Sequence, residues 1–433
     1  MKHFSTVLFT VCLVAATATA ARGEDGFLPI AFGARSHGLG GVMIGNPTDA
    51  MAIAVNPAGL VMQVGNRIDI SGFLTFENPT LQRDNGEHTG TPELYGGGPN
   101  AAYCHRFGKE TAPVVLGGGI FTTARHFFRT DLTSDYSLYS RYDAYRIAPV
   151  VAYQPVEWLG IGLSPYLEMA NMGFRTVMAD KYVTLPKRSP PVSGLYSVEA
   201  DTGYSPNTPS LGLTEGLLFM PLRWLRFGLA ATTPIYSFKF MRNLTITGLN
   251  HDFSLATVPE SIRVSPPAGF SLPLPFRIGG GVAAEIGSTV LLGLDVGWID
   301  WNYHYLRTDF TLNSSRGSNE AYLALPLHWS PQTTLAGGVQ YNPIRPLALR
   351  LGANYGSQFA NSLLFAPALS SGTRLTAGIG GQYKIFAIDA SFEHQFPVGA
   401  SLAQNNKSLY GDSTPPKIAT GHEVLDLMVS FAF

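Results

Sequence analysis

The residues of this chain that could do chemistry are few and scattered. His37-Gly-Leu-Gly-Gly41 has the look of a glycine phosphate loop. No strand precedes it, however, and it lacks a third spaced glycine or a Lys-Ser/Thr pair, so turn glycines are the better reading. His422-Glu-Val-Leu-Asp426 starts like a zinc-protease helix, but its fifth residue is Asp426 where the motif needs histidine. In a strand, His422 and Glu423 would also face opposite ways. No metal is expected. No Gly-x-Ser-x-Gly elbow occurs. His105, His126, His304, His328 and His394 stand singly and read as boundary or interior polar residues, with a dispersed triad left open. The charges that share a pattern are Asp295, Arg350, Asp389 and Glu393, each on the small or polar side of an alternating segment. They form either a network binding wall to interior or a charged eyelet selecting ions. No cofactor motif is present and none is expected.

Composition narrows the elements that must hold these residues. Charged residues are 14%, against roughly a quarter in soluble domains. Aromatics reach 12%, with 47 Gly and 30 Pro, and the net charge is −1. A basic surface for nucleic acid is not indicated. The first residues, "MKHFSTVLFTVCLVAATATAARGED", combine Lys2, an apolar run and Ala18-x-Ala20, which predicts a secretory signal over 1–20. Cys12 leaves with it. Cys104 remains, so no disulfide framework is available. Beyond the signal no run of roughly 18 apolar residues could form a membrane helix. The other membrane solution is a closed β-barrel.

The alternation supports that solution. "GHEVLDLMVSFAF" puts Leu425, Leu427, Val429, Phe431 and Phe433 on one side, and the chain stops on the aromatic, which reads as part of the wall. The same period of two runs through "RIDISGFLTF", "TVLLGLDVGW", "PLALRLGANYG", "RLTAGIGGQYK" and "IFAIDASFEH". Short turns at 107–113, 154–158, 221–224, 287–288, 342–346 and 384–385 alternate with long links at 77–98, 129–134, 176–208, 241–273, 311–328, 358–371 and 398–420. The strands between them number about fourteen, and short turns on one side with long loops on the other is the outer-membrane pattern. Trp158 and Trp224 at short turns, and Trp298, Trp301 and Trp329 beside a long loop, are expected in two interfacial girdles. The expected fold is all-β: a transmembrane antiparallel barrel over 66–433.

Residues 21–65 do not alternate. They read as short helical turns, with Thr48 or Asp49 capping "AMAIA" and Asn56-Pro57 ending it. The stretch is too small to be a domain. A barrel of this size encloses more space than its own side chains fill, since ~8 strands already saturate that. An N-terminal hatch plugging the lumen accounts for both. "VVLGGGIFTT" adds three glycines, Gly117, Gly118 and Gly119, in the expected third strand, either a bulge or bend or small residues facing a crowded hatch.

The stretch "GLGG…DAMAIAVNPAGL" resembles the start of the FadL/TodX outer-membrane transporters of long-chain fatty acids and aromatic hydrocarbons. Asn56, Pro57, Ala58 and Gly59 match that family's Asn-Pro-Ala hatch element. The similarity continues through "LPLPFRIGGGVAAEIGSTVLLGLDVGWIDW" and "LAGGVQYNPIRPLALRLGANYG" to Phe433. It implies passive uptake of hydrophobic small molecules across the outer membrane of a Gram-negative bacterium, without catalysis. It further implies loop capture, a lumenal pocket touched by Phe27, Leu28, Ile30 and Phe32, and lateral exit where the third strand kinks at Gly117–Gly119. The implied partners are the ligand, outer-membrane lipid and the barrel-assembly machinery. The competing classes are a polar-solute porin or structural barrel, and an outer-membrane lipid hydrolase.

Overall fold

In lipid every backbone N–H and C=O must find a partner within the protein, so a sheet can span only by closing on itself. In the computed structural model this chain does so. The structure describes residues 28–433 except 83–87, 90–92, 98, 109–112, 134–135, 186–191, 202–204, 207–208, 236–238, 241–243, 250–261, 265–269, 272–273, 303–304, 315–316, 327–328, 360–371 and 402–416.

Among the described residues, 14 antiparallel strands form the wall. They are β1 Asn66–Gln82, β2 Asn100–Phe107, β3 Val114–Thr133, β4 Tyr136–Val156, β5 Leu159–Leu185, β6 Ser210–Leu222 and β7 Leu225–Thr232. The second half is β8 Arg277–Ile286, β9 Val290–Ile299, β10 Gln332–Ile344, β11 Leu347–Gly356, β12 Thr373–Tyr383, β13 Phe386–Gln395 and β14 Lys417–Ala432. Each pairs with its chain neighbour, and β1 pairs with β14 from Arg67↔Ala432 to Gln82↔Lys417. Asn66 and Phe433 exchange both backbone bonds, at 2.7 and 2.9 Å. The last aromatic is therefore a rung of the seam.

The period-two reading sets the two faces. On β14, Leu425 and Leu427 are exposed while Val424, Asp426, Met428 and Ser430 are buried. On β13, Ile388 and Phe392 face out, while Asp389, Ser391 and Glu393 face in. Five of the six expected short turns, at 154–158, 221–224, 287–288, 342–346 and 384–385, are present, and the sixth, 107–113, includes 109–112, outside the described residues. Residues 176–208 and 311–328, expected as long links, carry strand: β5 runs 27 residues and pairs with Val192–Asp201, and Tyr305–Ser314 pairs with Gly317–Pro326. At about 3.3 Å per residue β5 spans about 90 Å, several times the ~25 Å apolar band. Its far half stands clear of the bilayer.

The tryptophan expectation needs a correction. Trp158, Trp224 and Trp298 are exposed. Trp301 and Trp329 are buried and belong to no girdle. They form a cluster with Phe359, stacked at 5.1 Å from Trp301 and edge-on at 5.4 Å from Trp329. The Trp301 indole donates to Gln332 Oε1 at 3.0 Å. Indoles mark an interface only where one edge meets water and the other meets lipid, and position along the chain does not reveal which face they take.

Inside the wall lies the segment that precedes β1. Its helical content is one turn, α1 (Ala34–His37), and two 3-10 turns, Ala50–Ala54 and Pro57–Met62. Asp49 caps the first 3-10 turn through Met51 N–H, and Asn56 caps the second through Ala58 N–H.

The lipid face supplies the first test. Leu427→Arg, mid-span on β14, should destabilise the folded barrel by about 2–4 kcal/mol in lipid, whereas Ile385→Arg at the turn rim should cost about 0–1 kcal/mol. Equal costs in bilayer refolding titrations would contradict the placement of these faces.

Candidate functional site

The interior is built where hatch meets wall. Wall glycines at inward positions make the contact possible. A Cβ built at Gly162, Gly216 or Gly228 would lie against Pro57–Ala58, the Asn56 amide or the Ile44 carbonyl. One at Gly281, Gly338 or Gly352 would meet Gly45, Leu39 or Gly40. Any side chain there would displace the hatch backbone. The hatch itself turns at Gly40 and Gly41, whose φ of 72° and 94° suit glycine. The Asn-Pro-Ala-Gly element is wedged into this surface: Asn56 donates to Ile44 O at 2.8 Å and to Leu217 O at 3.3 Å. Gly59 lies against Pro47 with no room for a Cβ.

The four charges expected on the interior all engage buried groups. Asp295 accepts from three successive hatch amides, Met43 at 2.6 Å, Ile44 at 2.6 Å and Gly45 at 3.0 Å. Asp389 takes Arg35 of the hatch at 2.7 Å and Arg350 of the wall at 2.8 Å. Arg350 also donates to Gln340 at 2.7 Å. Glu393 binds His37 of the hatch at 2.6 Å, His422 at 3.0 Å and Arg374 at 3.2 Å. Hatch and wall groups thus share these four side chains.

Sequence reasoning missed Arg35, His37, Asp69, Arg374 and Asp426. The last three share the inward parity of the residues it named. Asp69 accepts from Ala50 N–H at 2.7 Å and from Arg67 at 2.7 Å. Asp426 lies 3.6 Å from the His37 ring and accepts from Ser71 at 2.5 Å. Burial would push the His37 imidazole down, but hydrogen bonds to Asp426 and Glu393 and their charges outweigh it and raise it from 6.5 to about 9. Burial first, then the Asp69 charge, pushes the Asp49 carboxyl up to about 6.

The stretch Leu39–Asn46 separates two cavities. On its loop side Gly41 and Ile44 help line a cavity of about 120 Å³, mainly apolar, with Ile30, Phe32, Val55, Ile299 and Ala336, and with Arg277, Asp295 and Asn354 among its polar lining. On its turn side Leu39, Val42, Met43 and Asn46 line a polar vestibule of about 330 Å³ with Arg35, Arg226 and Arg350. Of the residues expected to touch a ligand, Ile30 and Phe32 line the apolar cavity. Leu28 is buried in the apolar core and does not line it, and Phe27 lies outside the described residues, as does the leader.

The glycines of β3 lie in the third wall strand. Gly117, Gly118 and Gly119 pair in register with Cys104, Tyr103 and Ala102 on one side and with Val150, Pro149 and Ala148 on the other. The irregularity comes later, where the register slips between Thr122 and Ala124 and four successive residues, Phe121 to Ala124, are buried. The ring of Phe121 meets Phe32 edge-on at 5.5 Å.

A sealed barrel with a charge-tethered plug and an apolar chamber above it defines a class: outer-membrane β-barrels with a lumenal hatch. Within that class the chain has the FadL/TodX fold. It matches a Pseudomonas aeruginosa FadL homologue with a TM-score of 0.72 at 15% identity, covering 94% of this chain and 100% of that one. The P. putida toluene transporter TodX matches with a TM-score of 0.72 at 15% identity, covering 93% and 98%. The Ralstonia pickettii toluene transporter TbuX matches with a TM-score of 0.68 at 15% identity, covering 93% and 98%. No family model and no curated protein matches the chain in sequence.

The tethers make two predictions. Asp295→Ala strands three amides, each costing about 1–3 kcal/mol when buried and unpaired. The partition should loosen and planar bilayers should show ionic conductance absent from wild type; an equally silent variant would deny Asp295 this role. Because the His37 pKa is raised on folding, its contribution is fully present below 6.5 and is lost as pH rises through about 9. Thermal stability should therefore fall over that window in wild type, with a flatter profile in His37→Gln. Parallel profiles would count against the ion pair.

Proposed function

We propose that this protein is a passive channel of the Gram-negative outer membrane for uncharged hydrophobic small molecules. The observation that carries the reading is the mainly apolar cavity of about 120 Å³ resting on the hatch inside a sealed barrel. An apolar solute loses ~25 cal/mol per Å² of favourable burial when forced through water, so a route that keeps its surface covered is a selective advantage over an open pore. In this reading residues 1–20 are a leader, 21–65 the hatch and 66–433 the barrel. The barrel-assembly machinery inserts the chain, and the protein is not an enzyme.

Cavity size bears on the ligand. An apolar cavity of about 150 Å³ admits a benzene, so about 120 Å³ is on the scale of one aromatic ring and far below an extended acyl chain. Monoaromatic hydrocarbons such as toluene, which two of the neighbours, TodX and TbuX, are named for, fit this volume better than long-chain fatty acids. Ligand enters from the long-loop side, rests against Ile30, Phe32 and Ile44, and leaves sideways through the wall. The packing of hatch backbone against wall glycines weighs against a polar-solute porin.

Uptake of radiolabelled toluene and of a radiolabelled long-chain fatty acid, by cells with and without the protein, tests the reading. Toluene uptake should rise with the protein. Ile44→Trp, which fills the chamber while keeping the Ile44 amide bond to Asp295, should abolish the rise. Equal toluene uptake with and without the wild-type protein would refute the channel, and fatty-acid uptake without toluene uptake would refute the size argument.

A further inference from the structure

Proline in an interior strand removes a ladder donor and is ordinarily confined to edges or bulges. β4 and β5 are interior wall strands; β4 carries Pro149 well inside it, besides Pro155 at its turn end, and β5 carries Pro165. The ladder between them pairs Ile147 with Leu167 and Val151 with Leu163, in one unbroken register, and the three pairs between are missing. Continuing that register sets Pro149 directly opposite Pro165. Antiparallel rungs alternate, and residues two apart share the same kind of rung. Gln154 N–H donates to Pro113 O on the β3 side and Met220 N–H to Trp158 O on the β6 side, so even-numbered residues of both strands bond outward. The two prolines therefore fall where partners would exchange both backbone bonds, and neither has a hydrogen to give. The Ser164 hydroxyl, which donates to Pro149 O at 2.9 Å, bridges the rung instead.

The surroundings favour parting at this place. Both prolines are exposed on the lipid face beside Ile147, Val151 and Leu163. On the other side of Pro149 stands Gly118, which offers no side chain to cover the seam. The lumen side is lined by the small residues Gly119, Ala148 and Ser164 next to Tyr166. A contact path leads there from the chamber: Phe32 lines the cavity and meets Phe121, and a Cβ at Gly119, the partner of Ala148, would strike the Phe121 ring. The bend in β3 is by contrast packed and bonded. Its Phe121–Ala124 run is buried, Thr122 N–H donates to Asn100 Oδ1 at 2.8 Å, and Gly97 N–H donates to Phe73 O at 2.8 Å.

We propose that the Pro149–Pro165 rung between β4 and β5 is the lateral portal through which an apolar ligand passes from the lumen into the bilayer. This deepens the channel reading and rests on it, while the seam itself is testable without transport. In detergent micelles the flanking amides of Ile147, Val151, Leu163 and Leu167 should exchange with deuterium faster than those of Leu213–Leu217 on the β5–β6 seam. The double variant Pro149→Val, Pro165→Val restores both donors and should slow that exchange. It should also cut toluene uptake about thirtyfold, the factor equivalent to roughly 2 kcal/mol from two net hydrogen bonds.

A second variant guards against misfolding. Val150→Cys with Ser164→Cys, in a Cys104→Ser background, places a disulfide across the same seam, and its uptake should stop on oxidation and return on reduction. Exchange at the seam no faster than at its neighbours, or uptake indifferent to the disulfide, overturns the portal. Uptake stopped only by a lock at the bend, Asn100→Cys with Thr122→Cys, overturns it in favour of that bend. If wild-type cells take up no more toluene than cells lacking the protein, the channel reading falls, and the exchange result still decides whether the seam opens.

Discussion

The structure depends on the closure of β1 onto β14. A lipid-exposed strand edge would leave a row of N–H and C=O groups with no water to satisfy them, at several kcal/mol each. The continuous register from Arg67↔Ala432 to Gln82↔Lys417 removes that edge. Closure fixes the parity of every strand, because a slip of one residue would turn Asp389 and Glu393 to lipid and Ile388 and Phe392 to the lumen. The distribution of charge in this protein follows from that. With charged residues at 14% of the chain, those that span depth have one tolerable place, the interior, and there they must find partners.

The hatch supplies those partners. Buried ion pairs are poor sources of stability, because desolvation offsets much of their attraction. Their value lies in position. Asp295 reads three consecutive amides, a pattern that only one placement of Met43–Gly45 satisfies. Asp389 is shared by one arginine of the hatch and one of the wall. The wall glycines act in the same direction sterically, by holding room for hatch backbone where other residues would hold side chains. Together they place a thin, irregular stretch of chain between two chambers, one mainly apolar and one richer in charged groups.

How much of this was legible depends on which physical rule governed each feature. Strand parity, the five described short turns and the inward facing of Asp295, Arg350, Asp389 and Glu393 follow from local periodicity, and periodicity is written in sequence. Trp301 and Trp329 were misplaced because an indole's preference for an interface says nothing about which side of the wall it occupies. His37 was weighed as part of a glycine loop; its carboxylate partners lie more than 350 residues away, and no local pattern announces them. Gly118 of the β3 glycines stands beside Pro149, and the pairing of Pro149 with Pro165 depends on a register that only the folded sheet defines.

That rung shows how a barrel can be sealed and still yield. The rule that every backbone group needs a partner makes most of the wall uniformly resistant, since parting any two strands exposes donors and acceptors together. A facing pair of prolines removes the donors from one rung. Opening there sacrifices a single serine hydroxyl contact instead of two backbone bonds, and what lines the gap is proline ring, small side chains and the ring of Tyr166. A polar solute gains nothing from such a gap, because it would have to shed its water to enter. An apolar one meets the same environment on both sides, so the fold can discriminate by phase preference without an open aqueous pore.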